Sequence, residues 1–241
     1  MDKDQIYAQP AGQLVDFQFD DRVARVFPDM IKRSVPGYST IVAATGITAA
    51  RYAQDNTRIY DLGCSLGAVS LAIQHRVQAS GCKIVAVDNS ADMLKRARDF
   101  VEQEEYPTAI ELLQADIQEL AISNASVVVL NFTLQFIEPE ERLKVIENIY
   151  QGLVPGGVLV LSEKIYFESP LAHDWMDELH LDFKRANGYS ELEISQKRAA
   201  LENVMKPETP KQHADRLAQA GFKASQQWFQ CFNFASFIAQ K

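Results

Sequence analysis

The stretch Ile59-Tyr60-Asp61-Leu62-Gly63-Cys64-Ser65-Leu66-Gly67 sets a carboxylate and two glycines where a short apolar run breaks before a helix-like segment. Gly63 and Gly67 carry no Cβ, so the backbone there can turn sharply and come close to a ligand. A dinucleotide site asks for GxGxxG, with helix-terminal amides aimed at a pyrophosphate. Here the pattern is D-x-G-x-x-x-G, which points to a cationic nucleoside without phosphate. A second acid, Asp88, closes the apolar run Lys83-Ile84-Val85-Ala86-Val87 and is followed by Asn89. A carboxylate at that place accepts both vicinal hydroxyls of a ribose. A third acid, Asp116, follows the run 110–114 and suits the exocyclic amine of an adenine, with the backbone amide of Ile117 beside it. A fourth run, Val127-Val128-Val129-Leu130, ends in Asn131-Phe132, a polar group and an aromatic at the same edge. Any one of these acids reads equally well as a helix cap or loop charge. Three at consecutive strand ends make a site.

Acids placed this way need an open α/β sheet that binds its ligand at the carboxyl edge. Hydrophobic period predicts strand 58–62, helix 66–78, strand 83–87, helix 91–104, strand 110–114, strand 126–131, helix 139–151 and strand 157–162. Ser90 and Pro139 mark helix starts, and Pro155-Gly156-Gly157 predicts a turn into the next strand. Ahead of this core, residues 21–27 have helical period up to Pro28, a turn follows around Pro36-Gly37, and a second amphipathic helix runs through Ile47 and Tyr52. Tyr38 at that turn either folds over the cofactor mouth or packs with its hydroxyl in water; the pattern favours neither. Residues 164–208 read as inserted helices, a place where substrate recognition is carried. Helix 210–220, closed by Gly221, and strands 226–230 and 232–239 complete the chain, the strands as a hairpin at the sheet edge. The expected organisation is one domain over 1–241: helical cover 1–57, cofactor-binding core 58–163, helical insertion 164–208, and C-terminal helix and hairpin 209–241.

A net charge of -8 counts against direct, extensive nucleic-acid contact. Lys184, Arg185 and Lys197 have acids such as Asp182, Glu191 and Glu193 around them and read as solvated helix faces. No apolar run approaches the ~20 residues of a membrane span and no secretory leader is evident, so the expectation is a cytoplasmic protein without membrane contact. Cys64, Cys82 and Cys231 lack CxxC spacing and read as reduced thiols, Cys64 as small and buried. His75, His173, His180 and His213 lack HxxxH or HExxH spacing, so no metal is expected. Without a Gly-x-Ser-x-Gly elbow or Cys-His signature, covalent catalysis has no evident nucleophile, and the chemistry falls to the cofactor's own reactivity.

The glycine loop followed by acids after the second and third strands resembles the class I S-adenosylmethionine-dependent methyltransferases. That resemblance implies a Rossmann-like α/β fold: a mostly parallel seven-stranded sheet with an antiparallel last strand, under an N-terminal helical cover and a helical insertion. Longer strings are more specific. Residues 60–67 (YDLGCSLG), 129–136 (VLNFTLQF), 186–198 (ANGYSELEISQKR) and 228–234 (WFQCFNF) are similar to those of bacterial carboxy-S-adenosylmethionine synthases, and the likeness covers nearly the whole chain. It implies conversion of S-adenosyl-L-methionine and prephenate to carboxy-S-adenosyl-L-methionine and phenylpyruvate. A separate tRNA carboxymethyltransferase would then use the product at the wobble uridine.

By the same resemblance, Tyr38, the Gly63-Cys64-Ser65 turn, Asp88, Asn89, Asp116, Ile117 and Asn131 bind the nucleoside and its amino-acid tail. Arg198 becomes the catalytic group, holding the transferred carboxylate; helical period alone leaves it an exposed charge. The implied chemistry is physically sound. Aromatisation drives loss of the ring carboxylate of prephenate with departure of hydroxide. Carbon dioxide held against the sulfonium-stabilised carbanion then bonds to it before water intervenes. The leaving hydroxide can take the methyl proton, so no side-chain base is required. The resemblance also favours a homodimer joined through the insertion and the cover, where Trp175, Met176, Leu179, Leu181 and Phe183 need partners; packing on the parent domain is the alternative. Which chain supplies Arg198 is open at this point. Two rival functions stand beside this one: an ordinary methyltransferase of a small molecule or RNA, and a non-catalytic nucleoside-binding module.

Overall fold

The computed structural model describes residues 2–10, 15–103 and 106–241. Seven strands among them form one sheet: β1 (Arg58–Leu62), β2 (Lys83–Asp88), β3 (Ala109–Gln114), β4 (Ala125–Asn131), β5 (Leu153–Lys164), β6 (Ala224–Cys231) and β7 (Phe234–Gln240). Their order is β3-β2-β1-β4-β5-β7-β6. The pairs β3-β2, β2-β1, β1-β4 and β4-β5 are parallel, whereas β7 runs antiparallel to both neighbours. This is the predicted mostly parallel α/β sheet with its reversed last strand.

The near-continuous apolar strands follow from burial on both faces. In β4, Val127 and Val129 point into one cluster with Ile59, Ile84, Val158 and Val160, while Val128 and Leu130 point into another with Leu62, Val87, Leu159 and Leu161. The first cluster takes in Ala49 of α2 (Tyr38–Tyr52) and Val69 and Ile73 of α3 (Ala68–Gln74). The second takes in Ile146 and Ile149 of α5 (Pro139–Gly152) and Leu217 of α8 (Pro210–Gln219). Helix α4 (Ala91–Val101) starts at Ser90, whose side chain caps the Met93 amide as the sequence predicts, and Pro139 opens α5. The cover is α1 (Asp21–Ser34) with α2; the insertion is α6 (Pro170–Ala186) with α7 (Glu191–Leu201).

Several boundaries differ from expectation for local reasons. Pro28 does not interrupt α1, because Val23, Ala24, Val26 and Met30 continue one buried face through it. Helix α3 is shorter than 66–78: Gly67 has φ +81°, a conformation outside the helix. Helix α4 ends at Val101, and residue 104 of the predicted helix lies outside the described residues, as do residues 1 and 11–14 of the predicted cover. Pro155-Gly156-Gly157 is not a turn ahead of β5 but a bulge within it. Ala125 pairs with Leu153 and Val127 with Val158, and Gly156 takes φ +76° to absorb the extra residues. The last hairpin turns at Phe232 (φ +52°) and Asn233, so Phe232 belongs to the turn. Only β6 of that hairpin is an edge strand, since β7 lies between β5 and β6. No helix among the described residues is long and apolar enough to cross a membrane.

Candidate active site

The carboxyl ends of β1 to β5 open into a cavity of about 800 Å³, roofed by α1, α2, α6 and α7. All ten residues predicted for the site line it: Tyr38, Gly63, Cys64, Ser65, Asp88, Asn89, Asp116, Ile117, Asn131 and Arg198. The glycine loop is clamped to β2. Gly63 N and Cys64 N donate to Val87 O at 2.8 and 2.9 Å, and Ser65 N donates to Asp88 Oδ2 at 2.8 Å. Gly63 holds φ +79°, and a Cβ there would come within 2.4 Å of Thr133 Oγ1, so the loop and the β4 end require glycine.

Each acid occupies a distinct electrostatic setting. Asp88 also accepts from Ser90 N at 2.9 Å, so each oxygen holds one backbone donor and keeps capacity for a hydroxyl; burial nevertheless raises its pKa. Asp61 is 1% exposed, accepts from Ser70 Oγ at 2.6 Å through Oδ2, and has no partner for Oδ1 among the described residues. Burial pushes its carboxyl up to about 6. Asn131 Oδ1 is a second buried acceptor without a partner there. Two such acceptors in one cavity wall fit a ligand carrying a cationic donor. Asp116 is exposed, with Oδ1 accepting from Gln118 N at 2.9 Å, while Ile117 is buried beside it. The Cys64 thiol is buried and its pKa is raised by desolvation and by Asp61 and Asp88, which suits packing rather than nucleophilic attack.

Tyr38 begins α2 directly after Gly37 (φ +77°), with its ring 6.3 Å from that of Phe132. Tyr38 lines the cavity, and burial raises its hydroxyl pKa. Phe132 itself holds φ +63°, a costly conformation for a bulky residue, and Phe132 N donates to Ser162 O at 2.7 Å. Below it, Glu163 accepts from Leu134 N and Gln135 N at 2.9 and 3.0 Å; burial pushes its carboxyl up to about 8. Arg198 stands in the last turn of α7 and lines the cavity of its own chain, with Nη2 3.4 Å from Asp177 Oδ2.

A Geobacter metallireducens protein named carboxy-S-adenosyl-L-methionine synthase is 59% identical over 239 residues, covering 99% of this chain and 98% of its own. One of the same name from Shewanella halifaxensis is 56% identical over 238 residues, with the same coverage. The chain belongs to the carboxy-S-adenosyl-L-methionine synthase family. Residues 59–157 also match the family model described as a methyltransferase domain. At the level of fold, the structure is similar to human N-acetylserotonin methyltransferase in complex with SAM. The TM-score is 0.62 at 16% identity, covering 92% of this chain and 55% of that one.

In this carboxy-S-adenosyl-L-methionine synthase family member, the structure also adds residues to the site and corrects two. Lys184 and Lys197 are not solvated charges. Both line the cavity, and Lys197 is buried, with Nζ 3.0 Å from Ser34 Oγ and 3.6 Å from Asp4 Oδ2. Arg185 is exposed, paired with Asp182 and Glu191 as a surface charge. Helical period carries no trace of either environment: Lys197 of α7 meets Asp4 from near the start of the chain, and Lys184 of α6 is covered by groups from other elements, Lys164 of β5 among them. Lys164 also lines the cavity, and the signal for it in the sequence is its place at the end of a core strand, β5, like that of the acids.

Proposed function

We propose that the protein converts S-adenosyl-L-methionine and prephenate to carboxy-S-adenosyl-L-methionine, phenylpyruvate and water, and that the product serves wobble-uridine modification by a separate tRNA carboxymethyltransferase. The reading is carried by one juxtaposition: Arg198 shares a cavity with the glycine loop and three strand-end acids. Relatives that bear the synthase name support it. In this reading Asp116 and Ile117 hold the adenine, Asp88 and Asn89 the ribose, and the Gly63-Cys64-Ser65 turn with Asn131 the amino-acid tail. The free Oδ1 of Asp61 receives its ammonium. The sulfonium supplies the chemistry by acidifying its own methyl group. Tyr38 and Phe132 wall that group from water, and Arg198 binds the carboxylate it acquires, through two parallel hydrogen bonds.

Mass spectrometry of reactions with and without prephenate tests this directly. The expected result is a prephenate-dependent nucleoside heavier than the substrate by one carboxyl in place of hydrogen. Only S-adenosylhomocysteine, or no turnover, would return the site to a methyltransferase or a binding module. Arg198→Ala is expected to weaken binding of the carboxylated nucleoside by about 10- to 100-fold while leaving that of S-adenosyl-L-methionine within about threefold. Equal losses for both ligands would reject the role given to Arg198.

We also propose a homodimer. Helix α6 leaves Leu171, Trp175 and Leu179 exposed, Trp175 at 58%, and their spacing puts them on one face.

A further inference from the structure

Sheet order works as a ruler along the cavity. Asp116 follows β3, Asp88 ends β2, the glycine loop follows β1, Asn131 ends β4 and Lys164 ends β5. Neighbouring strands stand about 4.8 Å apart, so the nucleoside positions from β3 to β1 span roughly 10 Å and leave the β5 end to something else. That end is basic. Lys164 of β5, Lys184 in the last turn of α6 and Arg198 in the last turn of α7 all line the cavity there. One carboxylate, Asp177, stands among them, 3.7 Å from Lys164 Nζ and 3.4 Å from Arg198 Nη2, and accepts from Asn233 Nδ2 at 3.1 Å. Lys197 is engaged by Asp4 and Ser34. The Lys184 ammonium makes no hydrogen bond or ion pair with another described residue, although the backbone carbonyl of Lys184 accepts from Asn187 N and Tyr189 N. His180, with Nε2 2.8 Å from Ser34 O, is held neutral by burial.

Burial, then the charges of Lys197, Lys164 and Arg198, push the Lys184 ammonium down to about 7 against the opposing pull of Asp177. Burial lowers Lys164 as well. A desolvated ammonium beside other cations, without an anion of its own, works against folding unless a ligand completes it. Folding alone gives no reason to keep a lysine there.

We propose that Lys184 and Lys164 form the subsite for the second substrate, a small dicarboxylate, and hold its carboxylates at the β5 end of the cavity beside Arg198. The assignment rests on the reaction proposed above for the class of ligand, and on the unpaired Lys184 for the place. Lys184 recognises one carboxylate as its sole partner. Lys164 recognises the other in competition with Asp177. Arg198 stays available for the product carboxylate.

Calorimetric titration of prephenate into the protein loaded with S-adenosyl-L-methionine tests the subsite, run alongside turnover. Lys184→Met and Lys164→Met are each expected to weaken prephenate binding by about tenfold or more while leaving the nucleoside Kd within about twofold. Lys184→Arg should restore most of the loss. In the unsubstituted protein, prephenate affinity should fall as pH rises through about 7, because Lys184 loses its proton; Lys184→Arg should remove that limb. Wild-type affinity in both Met variants, or no prephenate binding by the unsubstituted protein, overturns the subsite. Prephenate bound through Lys184 without carboxylated product would keep the subsite and reject the reaction. Product formed with an unchanged prephenate KM in both variants would do the reverse.

Discussion

Asp61 carries a carboxylate oxygen with no partner among the described residues, and burial holds its pKa at about 6. An ammonium placed on that oxygen lowers the pKa in the complex. Nucleoside affinity should therefore be full above pH 6 and decline as pH falls through it, with proton release on binding. Asp61→Asn should remove this pH dependence and weaken S-adenosyl-L-methionine by about tenfold or more, read by calorimetry at pH 5.5 and 7.5. A flat wild-type profile would mean that Asp61 does not touch the ligand. At this scale the acids were legible in the sequence because each ends an apolar run. Lys184 was not, since its meaning depends on having no counterion, a property of its neighbours rather than of its helix.

The elements hold the site through a buried network behind the β4 end. Glu163, at the end of β5, accepts from the amides of Leu134 and Gln135, and the fully buried Arg142 of α5 donates to Ile137 O, Gln135 O and Lys206 O. Arg142 also pairs with Glu208 at 2.5 Å. This network ties the loop after β4 to the segment that follows the insertion. Glu163→Ala leaves two buried amides unpaired and should cost about 2–5 kcal/mol in urea unfolding. A loss under ~1 kcal/mol would show that the loop relaxes to find other acceptors. Strands were legible from their apolar runs, and β1 falls where the sequence places it. The bulge at Pro155-Gly156-Gly157 was not, because a proline and two glycines read the same in a turn and in a bulge until the pairing register is known.

Across the whole molecule, the N-terminal segment fastens the roof of the cavity. Asp4, 1% exposed, takes the Tyr189 hydroxyl at 2.5 Å and lies 3.6 Å from Lys197 Nζ, and Arg33 bridges Asp4 O, Asp29 and Asn187 O. Outside this roof, the stripe Leu171, Trp175 and Leu179 faces solvent. If it is the dimer face, the unsubstituted protein should sediment as a dimer, and Trp175→Glu with Leu179→Glu as a folded monomer that keeps S-adenosyl-L-methionine binding, since neither residue lines the cavity. A dimer that survives both substitutions would move the interface elsewhere.

The sequence by itself determined the sheet and the acid-bearing edge that lines the cavity. Apolar runs of strand length, punctuated by glycine and acid, are local patterns, and a parallel sheet converts them into one line of side chains at one edge. Only the tertiary structure decided what stands opposite that edge. It turned Lys184 and Lys197 from surface charges into cavity groups and set Arg198 over its own chain's cleft. The physical reason is that desolvation and charge pairing sum over groups brought together from distant parts of the chain, Asp4 with Lys197 and Asp177 with Lys164 among them.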